Sequence, residues 1–127
     1  MSEFIYLIAG CLICYLIGSV SFGTIITKFY NKIDITKEGS GNPGATNVLR
    51  SSGAKTALMV LFLDMIKSII PVLIISRIEF VDINFIPHVC AASVVIGHCY
   101  PVFHKFKGGK GIATSIGPLF ILSPAPA

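Results

Sequence analysis

An all-α, polytopic membrane fold, with three full spans and a partial fourth, is what this sequence predicts, and three observations predict it. Of the 127 residues, 54% are hydrophobic and 13% charged, with a mean hydropathy of +0.82. A soluble domain of this size carries about 25% charged residues, because a small domain has much surface to wet. Three long apolar runs also reach the roughly 20 residues that a helix needs to cross a bilayer. Finally, Lys and Arg alternate between the intervals: none before the first run, five between first and second, one between second and third, three after the third. Basic loops stay in the cytoplasm, so both basic intervals are expected to face inward and the N-terminus outward. The composition excludes a disordered chain and an ordinary soluble globule. The net charge of +4 and pI near 9.0 belong to these loops. No aromatic-rich basic stretch stands clear of the apolar runs, so nucleic acid is not an expected partner. One membrane domain is expected over residues 1–127.

The first span is the uncharged run from Phe4 to Thr27, 24 residues long. Glu3 precedes it, no Lys or Arg does, and the run is too long for a secretory leader. Gly10, Cys14 and Gly18 recur every four residues, and Ser19 and Gly23 repeat the spacing. Small residues on one helical face let a second helix approach closely. Lys28 to Lys55 forms a polar interval. The second span is expected from Thr56 to Ser76, with Asp64 and Lys67 one turn apart on one face. Lys67 lies about 18 Å along the helix from Lys55 at ~1.5 Å per residue, and a structural ion pair beneath the site is the expected role. Arg77, Glu79 and Asp82 mark a short connection. A third span is expected from Ile83 to His104, and a fourth begins at Ile112, interrupted by Pro118, Pro124 and Pro126. Cys11, Cys14, Cys90 and Cys99 all lie in apolar runs, where cysteine acts as a small hydrophobe. The Cys11-x-x-Cys14 spacing lacks the second ligand pair of a zinc site.

Two intervals carry chemistry. Residues 39–50 read GSGNPGATNVLR. The G-x-G-x-x-G within them follows no strand and contains Pro43, which removes the dinucleotide-binding reading. What remains is a turn whose main-chain amides can converge on an anion, with Ser40, Asn42, Thr46 and Asn47 as neutral hydrogen-bonding groups. Arg50 adds a planar fork suited to phosphate oxygens. Residues 97–111 read GHCYPVFHKFKGGKG and fail the Walker A pattern, since Gly111 follows Lys110 and position 104 is His. Lysines in such a turn suit phosphate or anionic lipid. A re-entrant turn at Pro101 would bring His98 and Lys105 together.

Gly18-Ser19 with Phe22-Gly23, residues 39–50, Asp64-x-x-Lys67, and Gly97-His98 through Thr114 together resemble the bacterial PlsY family of integral-membrane acyl-phosphate:glycerol-3-phosphate acyltransferases. The resemblance covers nearly the whole chain. It implies transfer of a fatty acyl group from acyl phosphate to the 1-hydroxyl of glycerol 3-phosphate, giving lysophosphatidic acid and phosphate in phospholipid synthesis. It implies no metal and no cofactor, a place in the bacterial inner membrane with the site facing the cytoplasm, and an upstream enzyme that forms acyl phosphate. By position, Ser40, Arg50, His98 and Lys105 match family residues that hold substrate phosphate groups. Gly41, Asn42, Gly44, Thr46 and Asn47, with Gly108, Gly109 and Lys110, match the loops that shape the site. His98 or a substrate phosphate takes the hydroxyl proton; the resemblance leaves both open. Ser21 and Ser68 depart from the family's usual proline and glycine. Family members run longer, with further spans, so a truncated product or fragment is expected, one that inserts but turns over little. Two other functions compete: a truncated relative that binds phosphate only, and a small organic-phosphate transporter subunit.

Overall fold

The computed structural model describes residues 1–78 and 85–123, and all its regular elements are helical. They are α1 (Ser2–Gly18), α2 (Phe22–Ile26), α3 (Ala45–Ser52), α4 (Ala54–Ser76), α5 (Ile86–Cys99) and α6 (Ile112–Leu122), joined by short π and 3₁₀ turns. Glu79, Asp82 and Ile83, like Pro124 and Pro126, lie outside the described residues. Three helical segments, Ser2–Asn31, Ala54–Ser76 and Ile86–His104, are long and apolar enough to cross a membrane, and Ile112–Leu122 is a shorter apolar helix. Phe4, Ile13, Leu58, Phe62, Ile74 and Phe120 are all more than half exposed on their outer faces. Such faces are stable in hydrocarbon, which leaves packing rather than the hydrophobic effect to hold the helices together.

That packing follows from small residues. A Cβ on Gly18 would lie 2.1 Å from the Val94 carbonyl oxygen, and one on Gly97 would lie 2.2 Å from that of Tyr15. Only glycine permits this backbone approach. Gly10 faces Cys90 at the outer end of the same contact, so α1 and α5 run parallel. The repeat of Gly10, Cys14 and Gly18 is the face that α5 occupies. Opposite pairings relate α4 and α5: Lys67 meets His98 near the end of α5, while Ile75 packs on the cluster containing Ile86 at its start. These helices are antiparallel. Gly117 of α6 sits against Ser68 and Ile69 of α4. The polar intervals 32–53 and 100–111 therefore lie at one end of the bundle.

Two apolar clusters form. Cys14, Ile86, Cys90 and Val94 make one between α1 and α5, and Ile26, Ile35, Val48, Ala57 and Val60 make another around α2, α3 and the start of α4. Between them runs a buried polar layer of Ser19, Ser21, Asp64, Lys67, Ser68 and His98.

Three expectations need correction. The first span is not one helix: α1 stops at Gly18 and α2 restarts at Phe22, with Ser21 as its N-cap accepting from the Thr24 amide at 3.4 Å. Uncharged residues at 19–21 hid a break that serine hydroxyls stabilise. The third span's helix ends at Cys99; Tyr100 to His104 are uncharged but form a turn. Pro118 does not interrupt the fourth segment, because α6 continues through it to Leu122. Proline inside such a helix removes one hydrogen bond, which a packed membrane bundle tolerates. Pro71 sits inside α4 in the same way.

Candidate active site

The first loop is built around Asn47. Its side-chain amide donates to the carbonyls of Glu38 and Asn42, each at 2.9 Å, and its oxygen accepts from the Ser40 amide at 3.2 Å. Asn42 closes a smaller turn by accepting from the Gly44 amide at 2.8 Å. Gly44 is the N-cap of α3, whose buried face carries Asn47 and Val48. Thr46 and Arg50, four residues apart, share its exposed face. Ser40 is exposed and Gly41 half-buried in the turn before them. Asn47 thus holds the loop from below, while Thr46 and Arg50 stand exposed on its outer surface and the exposed Ser40 hydroxyl accepts from the Asn42 amide at 3.4 Å. At the loop's start, the Thr36 amide and hydroxyl donate to the Asp34 carboxylate and hold its pKa below the usual range. Gly23 of α2 lies against the Pro43 carbonyl, which couples the loop to the broken first span.

The second loop folds back on the end of α5. After Pro101 the chain reverses, with the Phe106 amide donating to the Pro101 carbonyl at 2.8 Å. The Gly108 and Gly109 amides then donate to the Cys99 and His98 carbonyls, each at 3.1 Å, and cap the helix. A Cβ on Gly109 would come within 2.2 Å of His98 Nε2, so the glycine backbone lies directly on the imidazole. The chain does reverse at Pro101, but the residues it lays on His98 are Gly108 and Gly109 and not Lys105, the residue expected there. Lys105, in the left-handed region at φ 54°, and Lys110 are exposed. Ser19 and Tyr15 fasten the loop to α1 through the Val102 amide (3.4 Å) and the Tyr100 carbonyl (2.8 Å).

Beneath the second loop lies a cluster whose members are far apart in the sequence. Lys67 Nζ donates to the Val20 carbonyl at 2.8 Å, lies within hydrogen-bond distance of His98 Nδ1 at 2.9 Å, and is 3.0 Å from Asp64 Oδ1. The Asp64 contact is an ion pair without hydrogen-bond alignment. Asp64 Oδ1 is also 3.9 Å from His98 Nδ1. Asp64, Lys67 and His98 are 3%, 6% and 7% exposed. Removing one partner of such a pair strands a buried charge at a cost of about 3–5 kcal/mol. The ion pair is thus joined directly to His98. The break at Ser19–Ser21 adds a third contact to this cluster, since it leaves the Val20 carbonyl outside the helix ladder, where it accepts from Lys67. The legible signal was the pair of ionisable residues, Asp64 and Lys67, within an otherwise apolar span.

Fold and site define an integral-membrane helical protein whose polar chemistry is gathered at one end of its bundle. The family described as glycerol-3-phosphate acyltransferase matches residues 8–127, and the chain belongs to that family. A glycerol-3-phosphate acyltransferase of Shouchella clausii is 46% identical over 121 residues, covering 95% of this chain and 59% of its own. One of Aquifex aeolicus is 47% identical over 113 residues, covering 89% and 58%. Among solved structures, the glycerol 3-phosphate form of PlsY, an integral membrane glycerol 3-phosphate acyltransferase, superposes with a TM-score of 0.84 at 42% identity, covering 94% of this chain and 59% of that one. The lysophosphatidic acid form gives 0.81 at the same identity. The chain therefore spans about three-fifths of the length of the relatives it matches.

Proposed function

We propose that this chain carries the phosphate-handling face of an acyltransferase that moves a fatty acyl group from acyl phosphate to the 1-hydroxyl of glycerol 3-phosphate. The observation that carries this reading is that two glycine-rich basic loops emerge at one end of the bundle, the second lying directly on His98 of the buried Asp64–Lys67–His98 cluster. The likeness to a structure in its glycerol 3-phosphate form supports the acceptor, and the lysophosphatidic acid form supports the product. In the reaction the 1-hydroxyl oxygen attacks the acyl carbon, the bond from that carbon to the phosphate oxygen breaks, and the hydroxyl proton ends on the released phosphate. Both substrates are anionic, and charge grows on the acyl oxygen as the new bond forms. Arg50 and Lys105 supply fixed positive charge, Ser40 and Thr46 supply neutral groups, and the turns at Gly41–Gly44 and Gly108–Lys110 shape the two anion sites. Preorganised donors of this kind lower the barrier because they need no reorganisation as charge develops.

The site would face the cytoplasm of the bacterial inner membrane, where the basic loops stay by the positive-inside rule. An enzyme that forms acyl phosphate would act upstream. The test is lysophosphatidic acid formation by purified protein in lipid, from acyl phosphate and labelled glycerol 3-phosphate. Dependence on both substrates is expected. Transport of glycerol 3-phosphate into proteoliposomes without acylation would overturn the reading in favour of a carrier.

A further inference from the structure

We infer that Lys67 is a positioning residue that fixes the tautomer of His98, so that His98 meets substrate as a hydrogen-bond donor through Nε2 and not as the general base. The inference begins with atom counting. An ammonium has only N–H donors, and Lys67 spends two of them on Val20 O and His98 Nδ1. His98 Nδ1 is therefore an acceptor, and a neutral ring then carries its proton on Nε2. Nε2 is the atom against Gly109, on the side of the glycine-rich turn. Asp64, 3.0 Å from Nζ, supplies the negative charge that keeps the ammonium stable in a buried layer. The groups facing the ring are thus Lys67 and Asp64 from α4 and the backbone of Gly109.

A donor at this place acts on an anionic oxygen: a phosphate oxygen of either substrate, or the acyl oxygen as it gains charge. The alternative base role would need a bare Nε2 and hence a proton on Nδ1, which the ammonium beside it forbids. The consequence for catalysis rests on the acyltransferase reading above, whereas the tautomer does not.

The direct measurement is the ring ¹⁵N signature of His98 in ¹⁵N-histidine-labelled protein in detergent. The other two histidines are separated by His88→Gln and His104→Gln. Near neutral pH we expect a protonated Nε2 and an unprotonated, hydrogen-bonded Nδ1; a proton on Nδ1 overturns the inference without any variant of the cluster. Because Lys67→Met alone strands a buried carboxylate, the double variant Asp64→Leu/Lys67→Met removes the ion pair whole. It should lose the single-tautomer signature and lower kcat by about tenfold or more, with KM for glycerol 3-phosphate changing far less. An unchanged tautomer in that variant removes Lys67 from the role. His98→Gln, whose amide can still donate, should keep more activity than His98→Ala; equal loss in both returns the base role. Absence of acylation by the unsubstituted protein, with the Nε2–H signature intact, would count against the acyltransferase reading and leave the positioning intact.

Discussion

Arg50 and Lys105 stand exposed at the same end of the bundle, one on a helix face and one in a left-handed turn. Neither is held by an ion pair among the described residues, so both guanidinium and ammonium remain available to an anion. Replacing either with alanine removes a charge-assisted contact that is worth roughly 2–4 kcal/mol once substrate excludes water. In a catalytically active form, Arg50→Ala and Lys105→Ala should each cut acyl-phosphate-dependent lysophosphatidic acid formation by tens to about a thousandfold. Near-normal turnover in either variant would remove that residue from the site. Gly109 works differently, since it carries no charge and serves by having no side chain. Gly109→Ala places a methyl within 2.2 Å of His98 Nε2 and should displace the imidazole, seen as a changed His98 ring signal together with lost activity.

Elements depend on close contacts more than on any one charge. The α1–α5 seam is the clearest case, because Gly18 and Gly97 let backbone meet backbone. Gly18→Val forces the helices apart, and overpacking of this sort costs about 1–3 kcal/mol. Its thermal midpoint in detergent should fall well below that of Gly10→Ala, a change on the same seam where the new Cβ would meet only the Cys90 sulfur at an ordinary 3.6 Å. In the first loop the equivalent keystone is Asn47, which makes three hydrogen bonds to the turn. Asn47→Ala removes three hydrogen bonds that tie the turn together, each worth about 0.5–1.5 kcal/mol. We expect faster hydrogen exchange at the Ser40 amide and a raised KM for glycerol 3-phosphate, while α4 and α5 keep their protection.

For the whole molecule the governing fact is that both basic loops emerge from one end. Cysteine introduced at Lys37 or Lys107, in a background without the native cysteines, should react with an impermeant reagent only from the cytoplasmic side. Cysteine at Arg77, at the far end of α4, should react only from outside. Labelling of positions 37 and 77 from the same side would mean that α4 does not cross. At this scale the chain also has a graded interior: an apolar cluster at each end and a polar layer between them. Lys67 lies thirteen residues into α4 from Ala54, about 20 Å along the helix, yet it reaches the end of α5. The Gly109 backbone, buried on His98, therefore reaches toward this polar layer while Lys105 and Lys110 stay exposed above it.

The sequence by itself determined the solvent, the helical class, the number of long apolar segments and which intervals hold basic and glycine-rich residues. Those properties follow from composition and from runs of neighbouring residues, and hydrocarbon forces a chain of this kind into helices that satisfy their own backbone. It also marked Gly10, Cys14 and Gly18 as a contact face, because that spacing is local. Only the tertiary structure decided what the face meets, where the first span breaks, and that Lys67 bonds to His98 across 31 positions of chain. The break was illegible because Ser19, Val20 and Ser21 are as uncharged as the helix around them. The Lys67–His98 bond was illegible because it depends on how far α5 descends beside α4, a depth set by glycine-mediated packing between distant helices and written in neither segment alone.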